Sequence, residues 1–146
     1  MKSDNIINNI IHQPKDTKIL RLDGLGIDVL PTFSIFLKHV EELHIENNNF
    51  VYLPPFPPTL KRIYCSNNNL KSLPPLPSDL EFLDCSYNPR LYSLPLHSKS
   101  LILNIENTGI TLGLFRGTNE VLYDLSLSKR RDIFLYRWRF PKARSP

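Results

Sequence analysis

Two cysteines and four histidines are the side chains in this sequence best suited to nucleophilic or metal chemistry: Cys65, Cys85, His12, His39, His44 and His97. A thiolate attacks when a neighbouring base or positive field lowers its pKa, and a zinc site draws on Cys and His ligands at short, fixed spacings. Neither pattern is present. The histidines are scattered, and there is no phosphate-cradling glycine loop and no nucleophile elbow. The cysteines stand twenty residues apart inside two matching phrases, LKRIYCSNNNL from residue 60 and LEFLDCSYNPRL from residue 80. Cys65 follows Ile63 by two and Cys85 follows Leu83 by two, so strand periodicity turns each thiol to the same inward face as its apolar neighbour. Buried thiols in apolar surroundings are inert. The reading is therefore packing, with no enzyme, metal site or cofactor expected.

The matching phrases belong to a longer series. VEELHIENNNF carries Val40, Leu43, Ile45, Asn48 and Phe50, and SLILNIENTGI carries Ser100, Leu103, Ile105, Thr108 and Ile110. TKILRLDGLGI carries Thr17, Leu20, Leu22, Leu25 and Ile27. The strand positions Leu22, Ile45, Cys65, Cys85 and Ile105 are separated by 23, 20, 20 and 20 residues, and another step of 20 reaches Leu125 in a degenerate sixth unit. Between units lie proline-rich links such as LPPFP and LPPLP; nine of the 13 prolines fall between residues 54 and 95.

The pattern LxxLxLxxNxL over residues 17–128 resembles the leucine-rich repeat. The short unit with SLPPLP or YLPPFP after the Asn step is similar to repeats of bacterial secreted effectors of the IpaH and YopM type and of large-DNA-virus proteins. The resemblance implies an α/β, mostly β, solenoid of about six coils. It would have a short parallel concave sheet, extended or polyproline convex arcs and capped ends. It also implies a binding module. The ligase activity of such effectors resides in a separate C-terminal domain, for which these 146 residues leave no room, so that activity is not carried over.

The positions also have a physical logic of their own. Asn48, Asn68 and Asn88 form a structural column whose amides can bond backbone groups that a curved ladder leaves open. A Leu-Pro-Pro arc holds an extended path and removes donors that would need partners. Leu53, Phe56, Leu73, Leu76, Leu94 and Leu96 would then plug the core from the convex side. Phe33, Phe36, Leu37 and Val40 have helical spacing and predict a short helix in the first arc. Solenoid ends need covers, which assigns residues 1–16 to an N-terminal cap and 129–146 to a basic aromatic C-terminal cap or arm.

No apolar run approaches 18 residues, so no membrane span is expected, and the N-terminus lacks the h-region of a secretory signal. An intracellular setting, in a host cytoplasm or a virus particle, is the expectation. The net charge is +4, but the tail dominates it: Lys129, Arg130, Arg131, Arg137, Arg139, Lys142 and Arg144 stand against Asp132 alone.

Outward strand positions form three columns. The first is Lys18, Glu41, Lys61, Glu81, Leu101; the second Ile19, Glu42, Arg62, Phe82, Ile102; the third Arg21, His44, Tyr64, Asp84, Asn104. Alternating charges can be a self-neutralising surface ladder of little energetic weight. They can equally frame a partner site, for which Arg21, Glu42, His44, Arg62, Tyr64, Phe82 and Asp84 are the candidates, with the aromatic-plus-Arg makeup of interface anchors. The partner is then another protein of unspecified identity, in a viral or bacterial host-interaction role. Two rivals remain: a structural subunit docked into a larger assembly by its basic tail, and secondary, weak nucleic-acid association through residues 129–144. In that tail Phe134, Tyr136, Trp138 and Phe140 alternate with Ile133, Leu135, Arg137 and Arg139, which predicts a strand or an extended arm.

Overall fold

A computed structural model describes residues 14, 16–30, 32, 38–95 and 101–110, together with the backbone of two further strands at 121–123 and 135–138. Five short parallel strands stack in chain order: β1 (Ile19–Arg21), β2 (Glu42–His44), β3 (Arg62–Tyr64), β4 (Phe82–Asp84) and β5 (Leu101–Asn104). Each is one rung, and from β2 to β3 and from β3 to β4 a single turn of chain without regular secondary structure leads to the next. The result is a β-solenoid of about four turns, and no helix occurs among the described residues. The helix expected over residues 33–40 falls mostly outside them; Lys38 and His39 lie in a turn.

The sixth unit departs from the expected stack. Its strand, β6 (Val121–Tyr123), does not pair with β5. The strand β7 (Leu135–Trp138), drawn from the tail, lies between them and runs antiparallel to both. Two features of the sixth unit favour this outcome. Ser128 stands where the three middle units have asparagine, and residues 111–120 contain no proline to shape an arc. The parallel stack therefore ends at five rungs, and an antiparallel strand takes up the hydrogen-bonding edge of β5.

Register follows the repeat. Ile19, Glu42, Arg62, Phe82 and Ile102 are partners across successive strands, as are Leu20, Leu43, Ile63, Leu83 and Leu103. The second series is buried, and so are Leu22, Ile45, Cys65, Cys85 and Ile105 two residues on. Leu60, Leu70, Leu80, Leu91 and Phe50 complete the interior, with Leu53 and Leu73 reaching it from the arcs. Phe56, Leu76 and Leu94 pack against it from the convex side, whereas Leu96 lies outside the described residues. Leu101 corrects the first outward column: it is 2% exposed and belongs to the core. β5 begins one residue earlier than β2–β4 and pairs there with β7, so strand alternation sets Leu101 on the same inward face as Leu103.

The asparagines account for how the rungs hold together. The Asn68 amide group donates to the carbonyls of Ile45 on the preceding rung and of Cys65 and Ser66 on its own, at 3.0–3.1 Å. Its oxygen accepts from the Phe50 N–H at 3.1 Å. Asn88 repeats the arrangement with Cys65, Cys85, Ser86 and Leu70, and Asn48 with Leu22, Ile45, Glu46, Leu25 and Ile27. Among the described residues Thr108 bonds only within its own rung, donating to the Ile105 carbonyl at 2.8 Å and accepting from the Ile110 N–H at 3.4 Å. A hydroxyl is too short to span two coils, a shortfall that matters least at the last one.

Just before each ladder position the backbone turns left-handed: Asn47, Asn67, Tyr87 and Asn107 have φ of 50–55°, and Gly24 takes this place in the first unit with φ 68°. The turn points each N–H at the next rung; Asn47 bonds the Ser66 carbonyl and Asn67 that of Ser86. Asparagine and glycine suit this conformation, whereas a tyrosine pays steric strain of about 1–2 kcal/mol. Tyr87 recovers part of this through its hydroxyl, which donates to Glu106 at 3.1 Å.

Replacing Asn68 with Ala leaves one buried N–H and several buried carbonyls without their partner. The expected loss is about 1–3 kcal/mol in urea or thermal unfolding. Lys71→Ala, on the exposed arc, is expected to leave the midpoint unchanged. Equal midpoints for the two variants would remove the ladder from the account of stability.

Candidate protein-interaction face

The outward residues of β1–β5 line one continuous face, and its two halves differ in chemistry. At the N-terminal end of the strands, Glu41 lies between two lysines, 2.9 Å from Lys18 Nζ and 2.8 Å from Lys61 Nζ. Hydrogen bonds from Lys61 and then Lys18 hold its carboxyl down at about 2, and Glu41 in turn raises Lys61. The trio is solvated, so it orders side chains more than it stabilises the fold.

Glu42, in the next column, is shared between two partners. Its Oε2 lies 3.2 Å from the Arg62 guanidinium and its Oε1 2.7 Å from His44 Nε2. The His44 bond lowers its pKa most, burial opposes this, and Arg62 adds to the lowering. The other ring nitrogen of His44 lies 3.2 Å from Glu46 Oε1. A neutral imidazole has a single N–H, so it can donate to only one of the two carboxylates, while an imidazolium donates to both.

Aromatic rings connect the middle three rungs. His44 stacks on Tyr64 with centroids 4.4 Å apart and planes within 6°. Tyr64 meets Phe82 at 5.1 Å with a 39° tilt. Tyr64 and Phe82 are half-buried, and Ile102 beyond them is 39% exposed. Burial raises the Tyr64 phenol. Asp84 turns one oxygen back to the Ser86 N–H and hydroxyl, at 3.0 and 2.7 Å.

These positions distribute the sequence candidates unevenly. Glu42, His44, Arg62, Tyr64 and Phe82 form one contiguous group, with Asp84 beside it. Arg21 sits on the outer rung and is in no ion pair among the described residues. His44 faces outward yet is 8% exposed, because the Tyr64 ring and two carboxylates enclose it, so it supports the face more than it presents itself. In the tail, Arg137 is on β7, while Lys129, Arg130, Arg131, Arg139, Lys142 and Arg144 lie outside the described residues, as do His12 and His97. Sequence reasoning missed Glu46. The signal was present, since residues 42, 44 and 46 share one parity of an extended chain.

The thiols of Cys65 and Cys85 are unbridged and buried, and burial pushes both up, away from the thiolate form. Cys85 Sγ is 3.6 Å from the Asn104 carbonyl. Among the described residues no cluster of three or more His, Cys, Asp and Glu is placed to hold a metal ion. No described helix is long and apolar enough to cross a membrane.

The description Leucine Rich Repeat matches residues 59–80. A Shigella effector leucine-rich-repeat domain superposes with a TM-score of 0.60 at 34% identity, over 74% of this chain and 45% of that one. The chain is a leucine-rich-repeat solenoid. It is also similar to YopM from Yersinia enterocolitica WA-314, with a TM-score of 0.54 at 25% identity, over 73% of this chain and 29% of that one. It spans less than half the length of either structure. No curated protein matches it. Leucine-rich-repeat folds typically serve as non-enzymatic scaffolds for protein–protein interaction, and this chain is similar to those of bacterial effectors.

Two measurements check the site's chemistry. A thiol reagent is expected to label Cys65 and Cys85 only in denaturant; rapid labelling of the folded repeat would contradict their burial. Glu41 is expected to titrate near 2 by carboxyl-carbon NMR and to return toward 4.5 when Lys18 and Lys61 are both replaced by Ala. A lowered carboxyl keeps its lysine contacts above the ordinary carboxylate range and loses them as pH falls toward 2. An unmoved titration in the double variant would show that the lysines do not hold it.

Proposed function

We propose that the chain is a protein-binding module whose concave sheet takes a partner over Arg62, Tyr64, Phe82 and Asp84, with Arg21 at the margin and Glu42 and His44 as supports. The observation that carries the reading is the run of rings from His44 through Tyr64 to Phe82 on consecutive rungs. Aromatic and arginine side chains are the groups on which interfaces concentrate binding energy. Ring stacking and the Glu42 carboxylate hold them in place before a partner arrives, which lowers the entropy lost on binding. The similarity to effector repeat domains supports a host-interaction role, in a viral or bacterial protein. In this reading, residues 17–128 carry the repeats, 1–16 cap one end and 129–146 close the other.

A secondary reading assigns weak nucleic-acid association to residues 129–144, on the strength of seven basic side chains against one acidic. Such binding would fall with salt at a logarithmic slope of about −0.9 per phosphate neutralised on duplex DNA.

The Tyr64→Ala, Phe82→Ala double variant tests the main reading. Each truncation is expected to weaken partner capture by about 2 kcal/mol, with the fold retained in circular dichroism. Tyr52→Ala on the convex arc, 60% exposed, is expected to bind as the parent does. Undiminished capture by the double variant would move the interface off this face.

A further inference from the structure

The concave face is uneven in its charge, and the unevenness bears on the kind of partner it accepts. On its first rungs, Arg21 apart, the charges are matched internally: Lys18 and Lys61 on Glu41, and Arg62 on Glu42. Past Tyr64, toward the C-terminal ends of the strands, they are not. Glu46 and Asp84 lie near Tyr64, whose phenol their charges help to raise, and Glu106 follows by two residues Asn104, the partner of Asp84. Among the described residues none of the three pairs with a lysine or arginine. Glu46 Oε2 is buried with no hydrogen-bond partner, although its Oε1 bonds His44. Asp84 is met by Ser86 and Glu106 by the Tyr87 hydroxyl, which are neutral groups.

We propose that this half of the face, from Tyr64 to Ile102, binds an extended, arginine-rich protein segment with apolar residues between the arginines. The assignment rests on the concave-face reading above and specifies its partner class. A guanidinium suits the site because it does two things at once: it packs its flat face on an aromatic ring and forks two N–H groups onto a carboxylate. Tyr64 and Asp84 are direct partners across β3 and β4, and Phe82 precedes Asp84 by two residues on the same face. Ring and carboxylate thus lie within one side chain's reach. Residues of the segment between the arginines would rest on Phe82 and Ile102, partners across β4 and β5. Arginine fits better than lysine, whose ammonium offers neither planarity nor a fork.

The probe is a labelled ten-residue peptide alternating arginine and leucine, with its lysine–leucine and glutamate–leucine counterparts as comparisons. Binding to the full chain is read by fluorescence anisotropy and mapped by NMR shifts. The arginine peptide is expected to bind tightest, to shift amides of β3, β4 and β5, and to weaken with salt. The Glu46→Gln, Asp84→Asn pair is expected to weaken it about tenfold per charge removed. If that pair fails to fold, salt titration of the parent chain decides alone. Equal binding of the glutamate peptide, or no salt dependence, overturns the proposal. So does a zero-length cross-link within one chain from Lys129 or Lys142 to Glu46, Asp84 or Glu106, since the chain's own basic segment would then be the occupant. If native partner capture depends on Tyr64 and Phe82 yet ignores salt and both charge changes, the basic-segment proposal fails while the concave-face reading stands.

Discussion

The buried asparagine column is the interaction on which the remainder of this structure depends. A three-residue strand makes few hydrogen bonds, and a coil built on it leaves carbonyls and N–H groups inside that no strand neighbour can reach. Burying such groups unpaired is costly. Asn48, Asn68 and Asn88 remove that cost by bonding two coils at once through a single amide. Only an amide offers both donors and an acceptor at that reach, so the side chain acts as a substitute for missing backbone. The left-handed residue before it completes the device by turning an N–H toward the next rung.

With the coils locked in register, their outward residues become columns, and proximity follows from twenty-residue spacing rather than from local sequence. Glu42 reaches Arg62 and His44 reaches Tyr64 because each pair lies across adjacent rungs. A stack of rings and the Lys18–Glu41–Lys61 and Glu42–Arg62 ion pairs therefore appear on a surface none of whose segments contains them individually. The regular ladder has an end, however, and at β5 the fold changes device. An antiparallel strand from the tail satisfies the edge that a sixth parallel rung would otherwise have covered. The insertion places that basic, aromatic stretch in the sheet itself, next to the half of the face richest in unmatched carboxylates.

Much of this was legible beforehand. Periodicity of apolar residues at twenty-residue intervals dictated the solenoid, the inward and outward parity of each strand and hence the members of the second and third columns, because a parallel stack of equal coils admits one register. The inert environment of Cys65 and Cys85 followed from the same parity. Tertiary structure decided what depends on contacts between units rather than within one. Leu101 shares its column number with Lys18 and Glu81, yet it is buried, because pairing with β7 extends β5 by one residue and alternation then puts Leu101 on the face of Leu103. His44 has the parity of a surface residue and the exposure of a core one, since Tyr64 and two carboxylates close over it. The order β5–β7–β6 depends on an antiparallel pairing between distant segments, which no repeat spacing encodes. A repeat sequence specifies the interior of its ladder by periodicity, and the ends of the ladder, where periodicity stops, are settled only by which segment can reach the open edge.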